Sequence, residues 1–544
     1  MLAKIADALF AARTFAVAGI LRPSRPDRLA RSVLALIRWG PTLASGYIGA
    51  AARYPRATAI VDERGALSFA EVNSRTNAIA NGLAARGVRA GDGVALLCRN
   101  HRGFVEATVA CSKLGAHALY LNTSFAGPQV VAVIEREGPR ALIYDQEFTS
   151  VVADAVDGRQ AFTAWVDDPA ECEHPSLEEL VGSHPSTSPA PPAEPGRTVI
   201  LTSGTTGTPK GANRAAPSSL APAAALLSRI PLHARESTVI AAPLFHAWGF
   251  AHLALGTALS TTLVLRRRFD PEDALRTVSE TRATALIVVP VMLQRILELE
   301  RSALERHDLS SLRVIACSGS ALPGPLALGA MDVFGEKVYN LYGSTEVAWA
   351  TIATPDDLRA APGTAGLPPR GTAVKILDEQ RRELPAGEAG SIFVGNEMLF
   401  EGYTGGGDKD RFDGLMSTGD VGHFDSRGRL FVDGRDDEMI VSGGENVFPG
   451  EVEELLIGMP GVRDVAVLGV RDDDFGHRLR AFVVADDGNR LSEQEVKEYV
   501  KSNLAAFKAP REVVFVDELP RTATGKVLKR ELRDPADAER SGPR

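Results

Sequence analysis

Cysteine is scarce: four in 544 residues (Cys98, Cys111, Cys172 and Cys317), with no CxxC pair. That excludes a disulfide framework, offers no zinc-site spacing and fits a reducing compartment. A positive charge excess is also missing. Lys and Arg number 60 against 69 Asp and Glu, a net charge of −9, which argues against a nucleic-acid binder. No clean apolar run opens the chain, because Lys4, Asp7 and Arg13 interrupt Met1 to Leu21, so no secretory signal is expected. Val239 to Leu265 has no Lys, Arg, Asp or Glu and is long enough to span a bilayer. Pro243, His246, His252 and two glycines inside it predict a buried strand, loop and helix instead, and no transmembrane helix. Hydrophobic residues at 44% and charged residues at 24% are ordinary globular values, which exclude disorder, collagen and coiled coil as the main state. The length implies several domains, and no internal repeat is visible.

Short apolar runs alternate with helical patterns, as at Gly93 to Leu97, Ala141 to Tyr144, Thr284 to Val289 and Arg313 to Cys317. This predicts an α/β architecture with largely parallel sheets. His184 to Gly196 is rich in Pro, Ser and Ala and reads as a loop. From Gly371 the runs shorten and Gly, Pro and Asp separate them, predicting a small β-rich subdomain. Beyond Gly434 lies a compact α+β unit of about 110 residues. The domains expected are an N-terminal extension (1–45), a large domain (46–434) and a small C-terminal domain (435–544). Leu29 to Ile37 has helical apolar spacing, with Arg22, Arg25, Arg28, Arg31 and Arg38 around it. Two readings stay open: a helix at a membrane surface, or an amphipathic helix packed on its own domain.

A β-branched strand, Thr198 to Leu201, runs into Thr202, Ser203, Gly204, Thr205, Thr206, Gly207, Thr208, Pro209, Lys210 and Gly211. Glycines let several backbone N–H groups face one anion, hydroxyls add donors and Lys210 adds charge, so the composition is that of a phosphate cradle. It lacks Walker A spacing. A flexible hydrophilic loop is the bland alternative, and the strand before it and the lysine at its end argue against that.

The TSGTTGTPKG run resembles the signature loop of the adenylate-forming enzymes: acyl-CoA synthetases, peptide-synthetase adenylation domains and luciferase. Five further motifs follow in family order. Pro243 to Gly249 resembles the motif whose His246 gates the carboxylate site and whose Trp248 lines the acyl pocket. Ser318, Gly319, Ser320 and Ala321 resemble an adenine wall. Asn340, Leu341, Tyr342, Gly343, Ser344, Thr345 and Glu346 resemble the YGxTE motif. There the resemblance implies Tyr342 stacked on adenine, Asn340 bonded to its amine, Thr345 on the α-phosphate and Glu346 on Mg²⁺. Asp420, in a TGD motif, and Arg435 would bond the ribose. Asp437 falls at the hinge position, and Gly443 and Gly444 at the approach of pantetheine. Pro520 to Lys526 resembles the motif carrying the catalytic lysine, Lys526. Alone, His246, Glu346 or Lys526 would pass for a core histidine, a surface acid and a surface lysine. The resemblance runs from about Leu67 to Arg533 and leaves the first forty residues outside.

The fold it implies is α/β: a large N-terminal domain of two stacked α/β subdomains plus a small β-rich subdomain, then a small mobile α+β domain. The activity it implies is attack of a carboxylate on ATP to give acyl-AMP and pyrophosphate, then transfer to coenzyme A after the small domain rotates. Val441 and the SGGENVFPGEVE run resemble the fatty-acyl-CoA ligase branch, and the short Glu346-to-Asp420 interval leaves little room for the insert that marks carrier-protein ligases. A medium- to long-chain fatty acid is expected, with Phe250 and Val289 beside Trp248 in the acyl pocket, though these motifs do not read out chain length. The alternatives are loading of an acyl carrier protein, a ligase for an aromatic or branched acid, a non-catalytic binding protein and a membrane-surface structural protein. Partners expected are the acid, ATP and CoA, and no nucleic acid. The location expected is the cytoplasm, with peripheral membrane contact through the N-terminal segment and a homodimer left open.

Overall fold

The computed structural model describes residues 2–22, 24–202, 209–217, 219–436, 440–442, 445–472, 476–486, 491–504, 508–522 and 525–532. Three helices open the chain: α1 (Leu2–Val17), α2 (Pro26–Trp39) and α3 (Leu43–Arg53). α2 starts on Pro26, whose missing N–H falls where a helix has no acceptor to offer. α3 starts on a capping box, with Ser45 N donating to Thr42 Oγ1 at 3.3 Å and Thr42 N donating to Ser45 Oγ at 3.2 Å. The boundary expected at residue 45 therefore falls inside α3. Its Ala44, Tyr47 and Ala50 are buried in the large domain, so only α1 and α2 form an extension.

Two sheets share one core. The first has eight strands in the order 351–353, 338–342, 314–317, 285–288, 237–240, 262–265, 58–62, 65–68. Its six inner strands are parallel and both edges antiparallel. The second has six strands in the order 160–165, 141–145, 93–97, 117–120, 198–202, 210–214, all parallel except the last pair. Inner strands with both faces covered account for the near-continuous apolar runs of the sequence. Val239 to Leu265 forms the strand, loop and helix that its proline and histidines predict (Ser237–Ile240, then Ala247–Leu259), followed by a further strand (Thr262–Leu265). Among the described residues no helix is long and apolar enough to cross a membrane.

From Ala373 an antiparallel five-stranded sheet follows. Its last strand, Leu430–Arg435, pairs with Leu415–Phe424 so that Arg435 stands directly across from Asp420. Arg435 thus belongs to the large domain, one residue beyond the expected boundary. The C-terminal unit has its own sheet and core, with helices Pro449–Ile457 and Glu493–Asn503. It touches the large domain where Gln294 Nε2 donates to Arg463 O at 3.0 Å and where Gly525 packs on Val291.

Candidate active site

Four neighbouring parallel strands end side by side, at Ile240, Val288, Cys317 and Tyr342. Carboxyl ends of parallel strands are where open α/β sheets bind ligands. Residues beyond them, Pro243, His246, Ala247, Trp248, Val289, Ser318 to Ala321 and Gly343 to Glu346, all line one cavity of about 1500 Å³. Phe250, Asn340, Leu341, Tyr342, Asp420, Arg435, Lys210 and Lys526 line it too. The structure therefore brings together the expected nucleotide, carboxylate and lysine positions. Ser203, Gly204, Thr205, Thr206, Gly207, Asp437, Gly443 and Gly444 lie outside the described residues, as does the Thr202 side chain. Lys210 sits opposite Thr202 in the strand pair that brackets the glycine-rich loop.

The buried polar groups of the cavity are arranged for a nucleotide. Asn340 Oδ1 is buried without a hydrogen-bond partner, an acceptor that an exocyclic amine would satisfy. Tyr342 donates its hydroxyl to Asp420 Oδ2 at 2.5 Å, and Arg435 Nη1 lies 3.9 Å from Asp420 Oδ1. Burial pushes the Asp420 carboxyl above the usual carboxylate range, while the Tyr342 hydroxyl, Arg435, Lys409 and Lys526 pull it back down. The ring expected to stack on adenine thus also holds one of the two oxygens expected to take the ribose.

Glu346 is 8% exposed and accepts the Tyr403 hydroxyl at 2.8 Å. Arg214 donates to the Thr345 carbonyl. Burial lowers its guanidinium to about 10, against the opposing pull of the Glu346 charge. The expectation for Thr345 and Glu346 missed both partners. Arg214 had a signal: it shares a strand face with Lys210, two alternations on. Tyr403, in a loop, had none.

His246 Nε2 is buried and unpartnered, and burial lowers the imidazole to about 4, so the ring is neutral at pH 7. Asn100 places it. The Asn100 amide donates to Ile240 O and Ala242 O at 3.1 and 2.9 Å and accepts from Leu244 N at 2.8 Å, fixing the loop that leads to His246. Trp248 Nε1 donates to Val288 O at 3.0 Å, and its ring meets His252 edge-on at 4.4 Å. Lys526 enters from the small domain on a turn closed by Thr522 N donating to Lys526 O at 2.8 Å. The Ala247–Leu259 helix runs along the cavity, facing Tyr120 and Thr108, whose buried hydroxyls have no hydrogen-bond partner. Ala247, Ala251, Ala254 and Ala258 all line the cavity, at the i, i+4, i+7, i+11 spacing of one helix face.

Residues 49–404 match the family described as AMP-binding enzyme, and residues 451–526 match the AMP-binding enzyme C-terminal domain. The chain belongs to this family, the adenylate-forming enzymes. A feruloyl-CoA synthase of Amycolatopsis is 36% identical over 88% of this chain and 96% of its own length. A long-chain-fatty-acid–CoA ligase of Mycobacterium tuberculosis is 31% identical over 86% of this chain and 93% of its own. An o-succinylbenzoate CoA synthetase from Bacillus subtilis, solved in complex with its acyl-adenylate intermediate, superposes with a TM-score of 0.78 at 28% identity, covering 90% of this chain and 98% of that one.

Proposed function

We propose that this AMP-forming acid–CoA ligase activates medium- to long-chain fatty acids. The observation that carries the reading is the alanine face of the Ala247–Leu259 helix. From Ala247 to Ala258 it advances eleven residues, about 16 Å at 1.5 Å per residue. That matches one lipid tail, since two of them fill the ~30 Å core of a bilayer. A cavity of about 1500 Å³ also exceeds the usual 300–1,000 Å³ of a small-molecule site, leaving room for a tail beside a nucleotide. The long-chain relative supports this reading and the ferulate relative supports an aromatic acid. A row of alanines offers an alkyl chain a smooth wall, whereas the unpartnered Tyr120 and Thr108 hydroxyls of the same cavity are what an aromatic hydroxyl would use.

Two anions must meet in the first half-reaction, so charge neutralisation and positioning dominate. Lys526 would bridge the carboxylate and the α-phosphate. Tyr342, Asp420 and Arg435 would fix the ribose, and Asn340 the base. Neutral His246 would border the carboxylate without competing for its charge. Mg²⁺ takes one or two carboxylates and completes its shell with waters and substrate phosphates. Glu346, held by Tyr403, would be that carboxylate, and the ion would offset phosphate charge. After the small domain turns, CoA would attack the acyl carbon and release AMP.

The test is CoA-dependent pyrophosphate release over acids from acetate to octadecanoate, plus ferulate, with Ala254→Trp in parallel. Turnover should peak on a medium or long chain. The variant should move the peak to shorter acids while hexanoate stays within threefold. Ferulate exceeding every fatty acid tenfold would overturn the substrate, and transfer to a carrier protein without CoA would overturn the acceptor.

A further inference from the structure

The cavity does not end at the large domain. α3 crosses the alanine helix so closely that a methyl on Gly46 would stand 2.5 Å from Thr257 Cβ, and α2 crosses α3 with Gly49 against Ser32. The far end of the cavity is therefore walled by the extension, through Leu21, Leu29, Ser32, Val33 and Leu36. Of these, Leu21, Leu29, Val33 and Leu36 are also 38–60% exposed, as wall residues at an open mouth must be. α2 buries Ala35 and Trp39 and turns Leu29, Val33, Leu36 and Ile37 outward, with Ile37 73% exposed and Leu34 44%. Eight of the thirteen exposed large apolar side chains among the described residues lie between Leu9 and Ile37. Scattered apolar residues need no explanation, but a contiguous cluster does.

The charge around this cluster identifies what covers it. Residues 1–45 carry seven basic and two acidic side chains, in a chain whose net charge is −9. Arg22, Arg25, Arg31 and Arg38 are exposed around α2, whose single acid, Asp27, pairs with Arg25 and Arg31. An apolar stripe bordered by arginines is the makeup of a helix lying in an anionic lipid interface.

We propose that α2, with the mouth it borders, docks on an anionic bilayer surface, so that the acyl cavity opens directly onto the pool of membrane-dissolved acids. This rests on the fatty-acid reading and names where that substrate is met. The full-length protein is sedimented with vesicles of phosphatidylcholine alone and of phosphatidylcholine with phosphatidylglycerol. Leu34→Glu/Ile37→Glu, which changes neither a cavity residue nor a buried one, is run beside it. Binding to the anionic vesicles should be at least tenfold tighter than to the neutral ones, and the variant should lose it tenfold or more. Its thermal midpoint and its turnover of soluble hexanoate should match wild type, while its turnover of vesicle-borne hexadecanoate falls. Wild type binding neither vesicle, or the variant binding as wild type does, overturns the proposal. Hexadecanoate delivered on cyclodextrin scores the substrate separately: turnover there without vesicle binding refutes docking alone, and vesicle binding without that turnover refutes the substrate alone.

Discussion

Replacing Gly525 by alanine probes how the small domain delivers Lys526. A Cβ on Gly525 would stand 2.3 Å from Val291 Cγ1, and ordinary contact begins at 3.4 Å, so the turn must retreat by about 1.1 Å. Lys526 is the next residue and retreats with it. Misplacing a reacting group by about 1 Å costs on the order of 10²-fold, or about 2.7 kcal/mol of barrier. Gly525 also has φ +80°, where a non-glycine residue adds roughly 1–2 kcal/mol of strain. ATP–pyrophosphate exchange should therefore fall about a hundredfold by the displacement figure. Conversion of supplied acyl-AMP and CoA, which under the proposed domain rotation does not use this contact, should stay within about threefold on the same arithmetic. Val291→Ala removes the obstructing methyl, so the double variant should regain roughly tenfold in exchange over Gly525→Ala, leaving the strain. Exchange in Gly525→Ala within threefold of wild type, or no recovery in the double variant, would refute the steric account.

Two more outcomes follow from buried groups. Lys113 Nζ is buried among Asn73 O, Asn73 Oδ1, Thr76 Oγ1 and Asn77 Oδ1 at 3.1, 2.9, 2.8 and 2.6 Å. Lys113→Met keeps the volume but strands the acceptors, and should cost about 2–4 kcal/mol in urea unfolding; a loss under about 0.5 kcal/mol would mean water replaces the amine. Burial lowers His252 to about 3 from 6.5, so below pH 6.5 the unfolded chain takes a proton that the folded chain refuses. Stability from this group is complete above pH 6.5 and falls as pH drops, by about 1.4 kcal/mol per unit. Between pH 6.5 and 5 wild type should lose about 2 kcal/mol more than His252→Gln, and parallel pH profiles would show that His252 is hydrated.

The site positions were named through motifs that resemble the adenylate-forming family, and several of them meet in space because they sit on loops directly after strands. Ser318 to Ala321 and Tyr342 to Glu346 are far apart in sequence, yet each follows an inner strand of one sheet, and parallel pairing aligns their ends. Groups supplied from elsewhere were not legible. Asn100 fixes the His246 loop across more than 140 residues, and Tyr403 reaches Glu346 across 57. Neither contact leaves a periodic trace. The apolar spacing of Leu29 to Ile37 announced a helix, three residues short of its Pro26 start. It left two readings of that helix open, and α2 has a face for each: Ala35 and Trp39 inward, Leu34 and Ile37 outward. Periodicity reports that a face is apolar, and only packing reports which part of it is covered.

On the fatty-acid reading proposed above, the alanine row would act as a graduated scale. The helix begins beside His246, which stands just before its first turn, and each further turn advances about 5.4 Å along the axis. Depth is thus recorded on one rigid element whose zero point is fixed by Asn100 and by the Trp248 bond to Val288. Enlarging Ala251, Ala254 or Ala258 shortens the accessible length in successive steps without moving a reacting group or breaking a sheet pairing. Chain-length preference would in this way be separable from catalytic competence, and single substitutions would carry one frame from acid to acid.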